Sequence, residues 1–193
     1  MIKVHPIRQI QQIQRIRRNL KQPKSALFYA FFVVGINTNL RVSDLARLTW
    51  ANVLDEGTTD LCHHINLVEK KTGKKRRIIM SANIAEALMY LLDNLGRIPE
   101  PSEPIFRNPR TKLAFSREHL SRIIKMEARR VGITDPIGCH SLRKTWAYHA
   151  SQSFNQSITV IQAAFGHSSQ QQTMSYIGLT DDDIDEVIEA VAL

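Results

Sequence analysis

The sequence predicts a mainly α-helical α+β domain that contains one small antiparallel β-hairpin. Most segments repeat apolar residues at helical spacing and end at glycine or proline. Residues 61–68 instead alternate, and after Lys-Thr-Gly-Lys at 71–74 a second extended segment follows at 77–80, a pattern typical of a hairpin with a basic tip. A length of 193 residues fits one domain or at most two small ones.

The helices are predicted from caps, apolar spacing and breakers. Pro6 is suited to the start of a first helix that runs to Leu20, with isoleucine at every third position. A second helix, 26–36, is apolar on nearly all sides and is therefore expected in the core. Serines at candidate N-cap positions predict further helices; these serines are Ser25, Ser43, Ser81, Ser116, Ser141 and Ser157. Two more helices are expected at about 170–177 and from 181, and the proline-rich stretch 98–109 is expected to be irregular.

Charge is segregated along the chain. The whole sequence carries a net charge of +8, but its last 17 residues contain six acids and no base. Residues 1–176 therefore hold all 26 bases and 12 of the 18 acids, a net +14. So high a positive charge on residues 1–176 favours a polyanionic partner, and nucleic acid is the commonest one. The bases that we single out for DNA contact are Arg15, Arg17, Arg18, Lys74, Lys75, Arg76 and Arg77.

Several classes of protein do not fit the sequence. No apolar run reaches the length of about 18 residues that a membrane span needs. The two cysteines, Cys62 and Cys139, favour neither a disulfide scaffold nor structural zinc, and His63 and His64 lack ligand partners at metal-binding spacing. Glycine-rich nucleotide-binding motifs are missing. We therefore expect a reduced-compartment basic protein that needs no metal and no cofactor.

Cationic and protic residues cluster near predicted turns. One group is Thr-Asn-Leu-Arg-Val-Ser-Asp-Leu at 38–45, which places Arg41 at a turn before a short helix. The others are His-Ser-Leu-Arg at 140–143 and Phe-Gly-His-Ser at 165–168, followed nine residues after His167 by Tyr176. Each residue alone is explained better by packing or surface solvation than by function.

Taken together and in this order, these groups resemble the tyrosine recombinase, or phage integrase, family. The segment 38–50 is similar to the family's first arginine box, 140–145 to its His-x-Leu-Arg box, and 165–168 to its Leu-Gly-His-Ser segment. The resemblance spans about 25–176 and implies the fold of a single catalytic domain of the DNA breaking-rejoining type. The sequence departs from the family pattern at Asn39, Asp44 and Phe165, which stand for glycine, glutamate and leucine.

The resemblance implies six catalytic residues: Arg41, Lys71, His140, Arg143, His167 and Tyr176. Tyr176 is then the nucleophile that forms a 3′-phosphotyrosine, the arginines bind the phosphate, and His140 is the base for a phenol whose ordinary pKa is about 10. His167 is expected to hydrogen-bond the phosphate. The lysine of the hairpin turn, Lys71, donates the proton to the leaving oxygen, although Lys70 and Lys74 flank it and remain alternatives. No metal or ATP is needed for such a reaction.

The implied function is site-specific DNA recombination by integration, excision or inversion. Alternatives are a type IB topoisomerase and a DNA-binding regulator that retains the fold. Double-stranded DNA and further copies of the chain, as a dimer or tetramer on DNA, are the expected partners, with no membrane. Cytoplasmic, nucleoid-associated action in a bacterium or phage-infected cell is the expected location.

The expected organisation is a catalytic domain at 1–180, with 1–24 as a basic N-terminal helix or extension, and an acidic C-terminal helix at 181–193. The family's additional N-terminal DNA-clamping domain is not matched, so the chain is either a short recombinase or a piece of a longer one. In the C-terminal helix, apolar residues recur at Ile184, Val187, Ile188 and Val191. This stripe either folds back on its own domain or docks on a neighbouring protomer.

Overall fold

The computed structural model describes residues 4–178, 185 and 188–191. In chain order it contains α1 (Ile10–Leu20), α2 (Ala26–Asn37), α3 (Val42–Leu45), β1 (His64–Val68), β2 (Lys75–Ile79), α4 (Ala82–Asp93), α5 (Arg117–Arg130), α6 (Cys139–Gln152), α7 (Ile158–Phe165) and α8 (Gln170–Ile177). The predicted α+β, mainly helical class is confirmed.

The main hydrophobic core surrounds α2. Because α2 is apolar on all sides, it can be buried on all sides, and Phe31, Phe32 and Val33 are at most 1% exposed. The helix packs against α1, α4, α5 and α6. The prediction that this segment lies in the core is therefore confirmed.

The two strands form the predicted antiparallel hairpin. Ile65 pairs with Ile78, and Val68 at the end of β1 pairs with Lys75 at the start of β2. Gly73 closes the turn in a left-handed conformation, with φ of +66°, which a residue with a Cβ rarely adopts. The turn therefore presents residues 70–74 at one end of the sheet.

A second, smaller hydrophobic cluster joins α6, α7 and α8. Its buried residues are Ala147, Ala150, Ile161, Phe165 and Ile177. Tyr176 is partly buried against this cluster. The helix α6 contributes to both clusters, because Leu142 belongs to the main core and Ala147 to the small one.

Serines mark several helix starts as predicted. Ser81, Ser116 and Ser157 occupy the N-cap positions of α4, α5 and α7. The side-chain oxygens of Ser116 and Ser157 accept hydrogen bonds from the backbone N–H groups of His119 and Val160. These bonds satisfy donors that the first helical turn leaves unpaired.

Three predicted helix starts are wrong. The first helix begins at Ile10 rather than Pro6, because the backbone before it bonds to other elements: the Ile7 N–H donates to Thr145 Oγ1 over 2.9 Å. Ser43 lies within α3, whose N-cap is Arg41. Ser141 lies within α6, where its oxygen accepts the Gly138 N–H and so supports an earlier start at Cys139.

The predicted C-terminal helix at 181–193 lies largely outside the described residues. Asp185 and residues 188–190 are helical. Ile188 and Val191, two members of the predicted apolar stripe, are 64% and 61% exposed. Ile184 and Val187 lie outside the described residues. No helix of the described part is both long and apolar enough to cross a membrane.

Candidate active site

Tyr176 and His140 form a hydrogen-bonded pair between α8 and α6. The Tyr176 Oη atom lies 2.9 Å from His140 Nε2, and the ring centroids are 5.2 Å apart. His140 stands in the first turn of α6, and Tyr176 in the last turn of α8, and these two helices pack against each other. The packing thus brings a phenol and an imidazole that are 36 residues apart within reach of one proton transfer.

The protonation of His140 suits a proton acceptor. Burial, followed by the nearby charges of Arg143, Lys144, Arg117 and Arg41, lowers the pKa of His140 to about 4. His140 is therefore neutral at pH 7. In the tautomer that carries its proton on Nδ1, the Nε2 atom accepts the hydrogen bond of the Tyr176 hydroxyl.

Arg143 is a buried cation at the centre of the site, only 1% exposed. Its guanidinium lies 4.2 Å from the Phe165 ring centroid and donates to the backbone oxygen of Asn39, while Nη2 lies 3.3 Å from His167 Nε2. Burial, followed by the charge of Arg41, lowers the pKa of Arg143 to about 10, so it stays charged at pH 7. Its buried Nε has no hydrogen-bond partner among the described residues. An unsatisfied charged donor of this kind is suited to an anionic ligand.

His167 is oriented by the helix that carries the tyrosine. Gly166 ends α7 with φ of +64°, and the chain then turns so that His167 Nδ1 lies 3.1 Å from Thr173 Oγ1. Thr173 is fully buried in α8. Burial, with the charges of Arg143 and Arg41, lowers the pKa of His167 to about 4. A neutral His167 that accepts from Arg143 at Nε2 can donate to Thr173 from Nδ1, which links the arginine to the tyrosine helix.

Arg41, His140 and Tyr176 line one cavity of about 670 Å³. Lys144 and Arg117 line it as well, although the sequence analysis singled out neither. Arg41 donates from Nη1 to the buried carboxylate of Glu69 over 2.8 Å. The structure thus brings five of the six predicted catalytic residues together around the cavity and the adjoining Arg143–His167 pair.

The sixth predicted catalytic residue, Lys71, lies on the exposed hairpin turn. The described structure shows no hydrogen bond from its ammonium group to the other five. Lys70 and Lys74, the alternatives, are exposed on the same turn. A flexible side chain on a turn at the end of the sheet is suited to meeting a ligand that arrives from solvent.

The predicted DNA-contacting bases fall into two groups. Lys74, Lys75 and Arg77 are exposed on the hairpin, but Arg76 donates internally to Asn39 Oδ1 and the Ala164 oxygen. Arg15, Arg17 and Arg18 lie on α1. Arg17 lines a groove with His149. His149 lies on the face of α6 opposite His140, because nine helical residues correspond to half a turn beyond two full turns. The structure therefore does not bring Arg17 to the cavity of Tyr176.

A basic groove along α5 was missed at the sequence level. Arg117, Arg122, Lys125, Arg129 and Arg130 line a cavity of about 900 Å³. Arg117 lines this groove and also the cavity of Tyr176, so the two are adjacent. The signal was five bases in the 14 residues of one predicted helix. The described residues contain no cluster of three or more His, Cys, Asp or Glu side chains that could hold a metal ion.

A departure from the family pattern has a structural explanation. Asn39 adopts a positive φ of 32°, a conformation in which glycine and asparagine are favoured. Its side chain accepts from Arg76 and donates to the Ala164 oxygen over 2.7 Å, while its backbone oxygen accepts from Arg143. Asn39 is thus one of the few residues besides glycine that tolerate this conformation, and it joins three elements at the site.

The model of the phage integrase family matches residues 7–182, which is most of the chain. The chain belongs to the phage integrase family, the tyrosine recombinases. This confirms the resemblance that the sequence motifs indicated.

Relatives in this family carry recombinase names. The chain is 34% identical over 179 residues to the probable integrase/recombinase YoeC of Bacillus subtilis, which covers 93% of this chain and 92% of that protein. It is 32% identical over 149 residues to the tyrosine recombinase XerD of Bifidobacterium longum, with 72% of this chain and 45% of that protein covered. The chain thus spans nearly all of YoeC and less than half of this XerD.

Solved structures share the fold. XerA recombinase superposes with a TM-score of 0.74 at 23% identity, covering 98% of this chain and 64% of that one. XerH bound to its difH substrate in a post-cleavage complex gives a TM-score of 0.77 at 17% identity, covering 97% and 52%. At these identities the likeness establishes the tyrosine recombinase catalytic fold for this chain.

Proposed function

We propose that this protein is a site-specific DNA recombinase that cuts and rejoins DNA through a 3′-phosphotyrosine at Tyr176, without metal or nucleotide. The observation that carries the proposal is the 2.9 Å contact between Tyr176 Oη and Nε2 of a neutral His140, beside the guanidinium of Arg143. A phenol is a weak nucleophile at neutral pH, and an adjacent base activates it.

The proposed first step is attack of Tyr176 on the phosphorus. The hydroxyl proton passes to His140 Nε2, the Oη–P bond forms, and the bond from phosphorus to the 5′-oxygen breaks. Negative charge builds up on the non-bridging oxygens in the transition state. Arg143, whose buried Nε lacks a partner among the described residues, and Arg41, which lines the same cavity as Tyr176, are suited to bind these oxygens.

The leaving 5′-oxygen needs a proton, which we assign to Lys71 on the hairpin turn. The phosphotyrosine ester then conserves the energy of the broken bond, so a 5′-hydroxyl of another strand can attack it and reverse the steps. In the described structure His167 contacts Arg143 at 3.3 Å. To donate to the phosphate in this proposal, His167 carries its proton on Nε2 and directs it to a phosphate oxygen instead of accepting from Arg143, while Nδ1 accepts from the Thr173 hydroxyl.

The DNA is proposed to lie across the cavity of Tyr176, the basic α5 groove and the hairpin tip. The groove and the cavity are adjacent at Arg117, and Lys74, Lys75 and Arg77 are exposed on the hairpin. Salt-dependent contact with phosphates is the expected contribution of these bases. As a DNA recombinase, the protein is proposed to act in the cytoplasm, on the nucleoid.

Self-association on DNA belongs to the proposal, because strand exchange joins two cut duplexes. Solved neighbours include a lambda integrase dimer bound to a core site and a lambda integrase tetramer bound to a Holliday junction. The exposure of Ile188 and Val191 supports docking of the segment 181–193 on a neighbouring protomer. Such a contact buries apolar surface that is otherwise in water.

The test uses duplexes that cover the DNA on both sides of the gene, each nicked so that the cut strand loses a short fragment and cannot be resealed. In EDTA and without nucleotide, the wild-type protein should form an SDS-resistant DNA adduct. Tyr176→Phe should form none and bind DNA with nearly wild-type affinity, because the phenol supplies the nucleophile and the basic surface supplies binding. An adduct with Tyr176→Phe, or a requirement for Mg²⁺, contradicts the mechanism.

A supercoiled plasmid with two copies of the cut site separates the remaining alternatives. Recombinant products are expected from a recombinase. Relaxation alone indicates a type IB topoisomerase, and binding without any adduct indicates a regulator. The arrangement of products also distinguishes inversion from excision.

A further inference from the structure

A buried carboxylate at the base of the hairpin turn contacts a predicted catalytic arginine. Glu69 directly follows β1 and its side chain is 4% exposed. The Oε2 atom accepts from Arg41 Nη1 over 2.8 Å and from Thr72 Oγ1 over 2.7 Å. Oε1 lies 3.8 Å from Arg76 Nη1. One carboxylate oxygen thus joins Arg41 to the turn that carries Lys71.

Glu69 is charged in this setting. Burial raises the pKa of its carboxyl group, but hydrogen bonds from Thr72 and Arg41 and the charges of Arg41 and Arg76 lower it more, so the net pKa lies below its ordinary value. An ionised acceptor forms stronger hydrogen bonds than a neutral one. The link between Arg41 and Thr72 is therefore present at neutral pH.

Lys70, the residue after Glu69, forms a second hydrogen bond between this turn and the segment around Arg41. The Lys70 N–H donates to Asp44 Oδ1 over 2.9 Å, and Asp44 belongs to α3, the short helix that begins directly after Arg41. Residues 69 and 70, which precede Lys71, thus both form hydrogen bonds with residues of the segment 38–50, the arginine box. The turn therefore cannot change its position relative to Arg41 without breaking these bonds.

The contact at Nη1 also orients Arg41. A guanidinium presents five N–H groups in a planar fork. When Nη1 is held by Glu69, the edge formed by Nη2 and Nε is the one left for a bidentate contact with phosphate oxygens. The Glu69 carboxylate thus determines which edge of the Arg41 guanidinium is available to a phosphate. The bond from Thr72 to the same carboxylate determines the position of Lys71 relative to that edge.

We propose that Glu69 is a positioning residue that couples the lysine turn to Arg41, so that the ammonium group of Lys71 is placed at the leaving 5′-oxygen when Arg41 holds the phosphate. The proposal rests on the proposed function, in which the phosphorus–O5′ bond breaks, the Tyr176 proton goes to His140, and a lysine proton goes to O5′. Glu69 itself exchanges no proton in this step.

A substrate whose leaving group needs no proton tests this coupling. Two otherwise identical nicked duplexes carry either oxygen or sulfur at the bridging 5′ position. A thiolate leaves without protonation near neutral pH, because a thiol has a pKa of about 8.5. A defect in placing the lysine should therefore slow cleavage of the oxygen duplex and leave cleavage of the sulfur duplex nearly unchanged.

Thr72→Val is the most specific variant, because it keeps the Glu69–Arg41 pair and removes the bond from Thr72 to Glu69. It also removes the 3.3 Å bond within the turn from the Lys74 N–H to Thr72 Oγ1. We expect single-turnover cleavage of the oxygen duplex to fall about tenfold or more, a part of the 10²- to 10⁴-fold that general acid catalysis contributes. The sulfur duplex should be cut within about threefold of the wild-type rate by the same reasoning. Lys71→Ala should show the same pattern with a larger loss.

Glu69→Gln and Glu69→Ala should lower the cleavage rate of both duplexes, because Arg41 also loses its charged partner. The rate should fall more for the oxygen duplex than for the sulfur duplex. Thr58→Val is the matched control: Thr58 is also an exposed turn threonine, bonded to the Asp55 oxygen, and this variant should match the wild type on both duplexes. Melting temperatures verify that each variant is folded.

Three results overturn the inference. The first is cleavage of both duplexes at the wild-type rate by Thr72→Val and Glu69→Gln. The second is an equal loss of cleavage rate on the oxygen and sulfur duplexes in the Glu69 variants. The third is that the sulfur duplex restores the cleavage rate of Lys70→Ala or Lys74→Ala but not that of Lys71→Ala. Failure of the wild-type protein to cut either duplex contradicts the proposed function itself, which is a separate outcome.

Discussion

The two halves of the candidate site rest on hydrophobic clusters of very different size. Arg41 and Asn39 follow α2, the centre of the main core, where Phe32 is fully buried. Tyr176 and His167 instead belong to the region of α7 and α8, whose small cluster is centred on Phe165 and Ile161. The half of the site that we propose binds phosphate is therefore held by the bulk of the domain, and the half that carries the proposed nucleophile is held by much less buried surface. These are called the phosphate-binding half and the nucleophile half below.

Arg143 connects the two halves. Its guanidinium donates to the Asn39 oxygen on one side, and on the other it stacks on Phe165 and contacts His167. The buried surface of α7 and α8 is small, so these contacts contribute a large share of what holds Tyr176 next to the phosphate site. From this difference we expect assembly or DNA binding to displace the nucleophile half more readily than the phosphate-binding half.

The arginine variants give the largest expected effect. Arg41→Ala and Arg143→Ala should each lower single-turnover cleavage by about 10²-fold or more, the scale for removal of a preorganised contact to a developing oxyanion. The loss should be greater for Arg143→Ala because it also breaks the link to Asn39 and His167. Arg110→Ala, an exposed arginine outside the cavity, serves as the control. Wild-type cleavage by either variant removes that arginine from the phosphate site.

Paired phenylalanine variants compare the clusters directly. Phe106 in the main core and Phe165 in the small one are 0% and 1% exposed. Replacement by alanine should lower the free energy of unfolding by about 3–5 kcal/mol if the surroundings do not relax. Only Phe165→Ala should also reduce cleavage per folded molecule, because Arg143, His167 and Tyr176 all pack on that ring. Urea titration and cleavage of the folded fraction measure the two effects, and equal cleavage in both variants contradicts the comparison.

Deletion of residues 181–193 tests whether assembly controls the nucleophile half. Docking that buries both Ile188 and Val191 contributes about 2 kcal/mol or more, so its loss should weaken multimer formation on DNA by at least about tenfold. The melting temperature should change little, since both side chains are exposed. Gel-shift titration and strand exchange provide the measurement. Normal recombination by the truncated protein, or its unfolding, contradicts docking on a neighbour.

The smallest effect concerns pH and stability. His140 titrates near 6.5 when unfolded but at about 4 in the fold, so between these values the unfolded chain binds a proton that the folded chain does not. Stability should therefore fall as the pH falls from 7 towards 4. His140→Asn removes this contribution and should show a flatter loss between pH 7 and pH 5 in urea titrations. Identical pH dependence in both proteins contradicts the buried neutral histidine.

The sequence predicted helices, strands and caps correctly where the structure of a segment is determined by the residues of that segment. The apolar segment of α2, the hairpin around Gly73, and the N-caps Ser116 and Ser157 are of this kind. Predictions failed where a distant partner decides the local structure. The backbone after Pro6 is not helical before Ile10, and the Ile7 N–H donates instead to Thr145, 138 residues away.

In the candidate site, too, the residues of local motifs were predicted and the contacts between distant segments were not. Motif order was sufficient to select Arg41, His140 and Tyr176, which line one cavity. The role of Asn39 in joining Arg143 to Arg76, and the contact of Glu69 with Arg41, depend on the tertiary packing of elements far apart in sequence. No local pattern distinguishes Glu69 from an ordinary acid beside a basic turn, so its position became visible only in the folded chain.

The central claim is that both halves act within one protomer, as the contact between Tyr176 and His140 and the stacking of Arg143 beside them indicate. The most direct measurement mixes Tyr176→Phe, which keeps the phosphate site, with Arg41→Ala, which keeps Tyr176 and the Arg143 contacts that hold it, on the nicked duplex that the wild-type protein cuts. The account predicts no more SDS-resistant adduct than Arg41→Ala forms alone. Restoration of the adduct in the mixture would show that Tyr176 of one protomer serves the phosphate site of another, and would contradict the account.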